Sequence, residues 1–254
     1  MHLSVSQGFD QSVIKNLVQA FTDSTKEVVN EVREENGWFT GNFQNGGTWD
    51  TRFKRIKDVG LKNELVVLTR KRGIWKFICI LNLETGILYI FSKEDNFEKV
   101  AKKLGRKSIH YFHALVSLNS DPLNLDNQQL EFFPKFTDEY ESKRLTEVQK
   151  LLGDEYPLVN KVVFVIAEEQ NKNIVGVQAK LYNRYFELID IEDWSSYISN
   201  VNYNELLVSG EEFVDMNNTE EVIPRVKQSI KERKTFFDKK NVKKKEEKRN
   251  IKEE

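Results

Sequence analysis

Six short apolar runs, set out as two groups of three, limit what this chain can fold into. The first group occupies 64–69, 74–81 and 86–91, the second 161–167, 174–182 and 185–190. Each run is dense in β-branched and aromatic residues, the side chains that suit a pleated surface. Within a group the separators are short: 70–73 (Arg-Lys-Arg-Gly) and 82–86 (Asn-Leu-Glu-Thr-Gly), then 168–173 and 183–184. A connection of that length returns the chain antiparallel to itself, because a parallel pair needs a crossover of a dozen residues or more. Two antiparallel three-stranded meanders are therefore predicted. They stand apart, or they join as one mixed or antiparallel sheet with helices on one face.

Helical periodicity flanks both meanders. Asp10 is the expected N-cap before Val13, Ile14, Leu17, Val18 and Phe21. Ser24 and Glu27 have capping-box spacing, so the stretch ending at Asn36-Gly37 is either two helices or one broken near 22–24. Residues 37–47 read as a Gly- and Asn-rich loop carrying Trp38, Phe39 and Phe43. Thr48 then caps a third helix with Trp49, Phe53 and Ile56 on one face and Gly60 at its end. Helices follow over roughly 95–105, 108–118 and 138–152, and a short one holds Trp194, Tyr197 and Ile198. The fold class is α+β, with an N-terminal half at 1–119 and a C-terminal half at 137–222. A linker or long loop bracketed by Pro122 and Pro134 lies between them at 120–136. Residues 223–254 form a charged helical tail, with Pro224 in its first turn and a narrow stripe of Val226, Ile230, Phe236 and Phe237. Beyond Phe237 the tail is nearly all charge, and a solvated helix or disorder is expected.

Charge is sorted along the chain. Residues 50–110 hold 15 Lys+Arg against 7 Asp+Glu, 120–224 hold 8 against 21, and 225–254 hold 13 against 6, under an overall net of −1. Such blocks attract a partner, or they pack on one another within one chain or between two copies. The single cysteine, Cys79, lies among apolar neighbours and reads as a buried core thiol. With no possible internal disulfide, no signal-peptide pattern at the start and no apolar run near the ~20 residues of a membrane helix, the expected location is cytoplasmic with no membrane contact.

Candidate chemistry is sparse. His110 and His113 fall at i and i+3 on the helix expected over 108–118, preceded by Arg106. Arg106 and His113 have a spacing that resembles the motif of the HEPN ribonucleases, where the His and Arg act on a 2′-OH and the scissile phosphate. That resemblance makes Arg106, His110 and His113 catalytic candidates for a toxin-like ribonuclease. The HEPN family is all-helical and dimeric, whereas this stretch follows a meander, and Gly105 interrupts it. The bland alternative is a pair of ordinary helix histidines, one bonded in the interior. Gln178 and Lys180 resemble a variant of the PD-(D/E)xK nucleases, but the place of that family's upstream carboxylate holds Asn160 and Lys161, and Glu168 and Glu169 lie at the other strand end. One Cys and three His give no zinc spacing, and no Walker A, dinucleotide-binding or nucleophile-elbow motif is present. No metal and no cofactor are expected.

A basic face is the stronger lead. Arg52 and Arg55 on the third helix, the turn Arg70-Lys71-Arg72, and Lys76 beside Trp75 suit phosphate contact with base stacking. The alternative is that Trp75 shares an inward face with Phe77 and Cys79 and the charges merely solubilise the surface. The segment Trp49-Asp-Thr-Arg-Phe53, the run Arg72-Gly-Ile-Trp75 closing on Gly86-Ile-Leu-Tyr89, and His110-Tyr111 resemble a family of bacterial and prophage α+β proteins of unknown function, over 49–119. The resemblance implies no activity. It implies mobile-element or phage-conflict surroundings, where toxins, antitoxins and host-defence factors are encoded. The expectation is a non-enzymatic protein- or nucleic-acid-binding protein that works through the basic face or the charged tail, with self-association possible. A ribonuclease is the alternative.

Overall fold

A computed structural model describes residues 5–119, 136–171 and 173–199 of the chain. Six strands form one sheet in chain order: β1 (Val66–Arg72), β2 (Trp75–Asn82), β3 (Ile87–Lys93), β4 (Lys161–Gln170), β5 (Asn173–Tyr182) and β6 (Leu188–Asp193), the last beginning three residues later than the run at 185–190 predicts. Each predicted meander is present and antiparallel. They are joined where β3 meets β4 in parallel, with Ile87 opposite Lys161 and Lys93 opposite Ala167. The long stretch between those strands supplies the crossover that a parallel pair requires.

Helices cover both faces of this sheet, not one. On one face α1 (Gln11–Thr22) and α3 (Phe43–Lys62) lie over β2 and β3. There Phe21 meets Phe91 edge-on at 5.3 Å, and Phe9 stacks on Tyr89 at 4.4 Å. On the other, α4 (Glu94–Ala101) and α5 (Tyr111–Val116) pack on β4, where Phe97 and Phe112 lie 5.0 and 5.2 Å from the ring of Phe164. Helix α6 (Asp138–Leu152) packs on α5, and α2 (Lys26–Glu35) on α3. The cause is in the central strands. Residues 87–92 and 162–167 are buried without alternation, so neither face of β3 or β4 tolerates water. Each large apolar side chain buried this way contributes roughly 1.5–3 kcal/mol.

Four local expectations change. The stretch forms two helices, α1 and α2, one of the two arrangements expected, but the capping box does not form: Lys26 N–H donates to Ser24 Oγ at 3.3 Å, while Thr25 hydrogen-bonds Thr48. Helix α3 begins at Phe43, not at Thr48. Gly47 permits this, because a Cβ there would meet the Phe43 ring at 2.7 Å. Gly60 does not end α3 but lets it press on the sheet, where a Cβ would lie 2.7 Å from Val67 and 2.8 Å from Ile80. The first hairpin turn is the pair Gly73 and Ile74, so Arg70, Lys71 and Arg72 belong to β1. Gly73 has φ +59°, the left-handed entry of a two-residue hairpin turn, and that geometry extends the strand to its tip.

Cys79 is buried and its thiol is pushed up to about 12 by that burial, in keeping with a core role. No helix among the described residues is long and apolar enough to cross a membrane. The expected linker, all but Phe136, and the charged tail at 223–254 lie outside the described residues.

Candidate functional site

The six cations singled out above divide into two sets. Arg55 is buried, with Nη1 donating to the carbonyl of Asp23 at 3.1 Å and both Nη atoms to that of Ser24 at 3.2 Å. Arg52 is 5% exposed, and its guanidinium lies 5.7 Å from the rings of both Phe21 and Trp49. Burial pulls its pKa down to about 10, against the pull of the Glu169 carboxylate. Arg70 donates through Nη2 to Glu155 at 2.6 Å and to the carbonyl of Leu152 at 3.2 Å. Arg52 and Arg55 are buried and Arg70 is half-buried and ion-paired, so these three are not an open basic surface.

Lys71, Arg72 and Lys76 form the exposed set, at the tip of the β1–β2 hairpin. Lys71 sits directly opposite Lys76, and Arg72 opposite Trp75. Like charges facing across a ladder destabilise it. Part of the basic stretch does clamp onto acidic residues further along: Arg70 on Glu155 and Lys93 on Glu169 at 2.5 Å. Among the described residues the tip cations have no such ion pair. Arg72 spends one N–H on the carbonyl of Ile109, at 2.6 Å.

A cleft of about 470 Å³ opens beside this tip, bounded by the first turns of α3, the end of β3 and the turn before α5. Its aromatic wall is Trp49, Phe53 and Trp75. Trp49 lies 5.1 Å from Phe53, and Trp75 meets them edge-on at 6.3 and 6.4 Å. Trp75 remains 40% exposed, so it faces the cleft and not the core. Across the opening stands Tyr111, held by stacking on Phe77 at 4.2 Å. Ser92, Lys93 and Asn96 supply polar groups at the carboxyl end of β3. Open sheets containing parallel strands bind ligands at such carboxyl ends.

His110 also borders the cleft, but not as a helix-face residue. It is the N-cap of α5: its Nδ1 accepts the N–H of Phe112 at 3.2 Å, and its own N–H donates to Nδ1 of His113 at 3.3 Å. Both Nδ1 lone pairs are thus occupied, and each neutral ring carries its proton on Nε2. His113 is 1% exposed and donates that proton to the carbonyl of Val100 at 2.8 Å. Burial, followed by the charges of Arg72, His113 and Lys103, pushes His110 down to about 3. Burial also lowers His113, partly offset by its bond to Val100. Arg106 is exposed on the bend after α4, and among the described residues it is not a hydrogen-bond partner of either histidine. Arg106, His110 and His113 are therefore close in sequence without being assembled as a reacting group.

Lys180, the other nuclease-like residue, faces Glu94. Among the described residues no group of three or more His, Cys, Asp or Glu could hold a metal ion. Trp49, Phe53 and Tyr111 are cleft residues that sequence reasoning did not put in a site. Trp49 and Phe53 read there as the inward face of a helix, and only the co-occurrence of Trp49, Trp75 and Tyr111 in the family resemblance pointed to them.

Comparison with known proteins bears on the whole chain. A family model described as a family of unknown function, DUF5986, matches residues 6–245, and the chain belongs to that family. No curated protein and no solved structure matches it.

Proposed function

We propose that this member of the DUF5986 family binds single-stranded nucleic acid in the aromatic cleft beside the β1–β2 tip. The observation that carries this reading is the pairing of Trp75 with Arg72 across the end of the hairpin, at the mouth of a cleft walled by Trp49 and Phe53. An exposed indole offers a platform for a base, and the cations beside it, which make no ion pair among the described residues, offer contacts to the backbone. A duplex hides its base faces, so an unstacked strand suits this mouth better. An acidic peptide would satisfy Lys71, Arg72 and Lys76 but would leave the aromatic wall without a role.

The ribonuclease alternative has less support. Strand cleavage through the 2′-OH needs a group that takes its proton. In both histidines the lone pair that could do so already accepts a backbone N–H.

Fluorescence anisotropy of a labelled ten-nucleotide RNA and its DNA counterpart tests the reading. Trp75→Ala is expected to weaken binding by about 5- to 100-fold, the worth of one stacked base, without altering the melting temperature by more than a few degrees. Absence of binding to both strands, or equal affinity in wild type and Trp75→Ala, overturns the proposal. Capture of an acidic peptide in place of either strand does the same.

A further inference from the structure

We infer, resting on the reading above, that the site continues over a ridge of Arg72, His110 and Tyr111 into a second cleft, so that its ligand is a strand of at least two nucleotides and the ridge holds the phosphate between them. The second cleft has a volume of about 350 Å³ and lies on the other side of those three residues, which border both clefts. Each volume falls in the ~300–1,000 Å³ range of small-ligand pockets. Leu151 and Ile109 give the second cleft apolar surface for a base, and Lys71 and Lys150 give it a cationic rim.

The ridge has the chemistry for a phosphodiester. Arg72 commits one N–H to Ile109, which leaves other donors of the guanidinium fork for an anion. The His110 ring is locked by its cap as the Nε2–H form, and that N–H has no partner among the described residues. A neutral imidazole donor beside a guanidinium binds a monoanionic linkage without a proton to lose. Among the described residues one carboxylate, the exposed Glu147, borders the second cleft. It disfavours a phosphate within that cleft, which leaves the ridge as the anion's place and the cleft for a base.

Isothermal titration with a nucleoside monophosphate, a dinucleotide and a tetranucleotide of the same base tests this. The dinucleotide is expected to bind at least about tenfold more tightly than the monophosphate, the gain of a second stacked base. A dinucleotide whose bridging phosphate is a neutral methylphosphonate should lose most of that gain. Lys150→Glu, at an exposed position of α6, should weaken the tetranucleotide about tenfold and leave the monophosphate unchanged. If the monophosphate binds as tightly as the tetranucleotide, or Lys150→Glu weakens both alike, the two-cleft path is wrong while the single-cleft reading stands. If none of the three ligands binds, both fall.

Discussion

Replacing Arg144 by alanine is expected to cost about 3–5 kcal/mol of folding stability, the scale for removing one partner from a buried charged network. Arg144 lies on α6 with 0% exposure. Its Nε donates to the carbonyl of His113 at 2.9 Å, Nη1 to Glu141 at 2.9 Å, and Nη2 to the carbonyl of Arg184 at 2.8 Å. One guanidinium thus ties α6 to α5 and to the turn between β5 and β6. Its carbon lies 5.5 Å from the Phe136 ring and 5.9 Å from that of Tyr140. Alanine would leave one buried and one half-buried carbonyl without these donors and a void between two aromatic rings. Glu141 would keep only Arg184, at 2.8 Å. Arg144→Lys should recover little, because an ammonium cannot reach three acceptors set around a planar fork. Urea unfolding of both variants measures this, and a loss below about 1 kcal/mol in either would show that the network carries little.

The second large effect is acid destabilisation centred on His110. Its pKa is about 3 in the folded chain, against 6.5 for an ordinary histidine. Above 6.5 the ring is neutral in both states and its contribution to stability is complete. As pH falls through 6.5 the unfolded chain takes up a proton that the folded chain refuses. Stability then declines by up to about 1.4 kcal/mol per pH unit until the folded ring itself titrates. After a discount for partial exposure, about 2–3 kcal/mol should be lost between pH 6.5 and 4. Asp23 works in the opposite direction. Burial raises its carboxyl to about 6, against the pull of Arg55, so its contribution is largest at low pH and is lost as pH rises through 6. His110→Asn isolates the histidine, because asparagine keeps an N-cap acceptor for Phe112 N–H and does not titrate. Chemical denaturation of wild type and His110→Asn across pH 4–8 should give parallel profiles above 6.5 and a growing deficit for wild type below it. Parallel profiles throughout would show that the ring protonates freely in the folded state.

These two residues also mark how far the sequence could be read. The six strands were legible because their apolar runs and short separators leave few alternatives. The two-sided sheet was legible in principle: residues 87–91 and 162–167 run apolar without a polar alternate, which is the pattern of a strand covered on both faces. The fate of each cation was not legible. Arg52, Arg55 and Lys71 are alike in sequence, and only carbonyls about thirty residues away, at Asp23 and Ser24, decide that Arg55 is interior. His110 and His113 kept a spacing of three, but the helix starts one residue after His110, which turns a shared face into a cap. Trp75 was ambiguous because its inward alternation with Phe77 and Cys79 holds only until the strand reaches its tip. There the neighbours are Trp49 and Phe53 of α3.

The site itself depends on Lys71, Arg72 and Lys76, which make no ion pair among the described residues. The salt dependence of binding reads this most directly. Affinity for a ten-nucleotide RNA, measured between about 50 and 200 mM salt, should fall with a logarithmic slope of about −3, about 0.7 for each of Lys71, Arg72, Lys76 and Lys150. The slope should shrink to about −1.4 in a Lys71→Ala/Lys76→Ala double variant. Binding whose strength ignores salt, or whose slope is the same in the double variant, would contradict a nucleic-acid site at the hairpin tip.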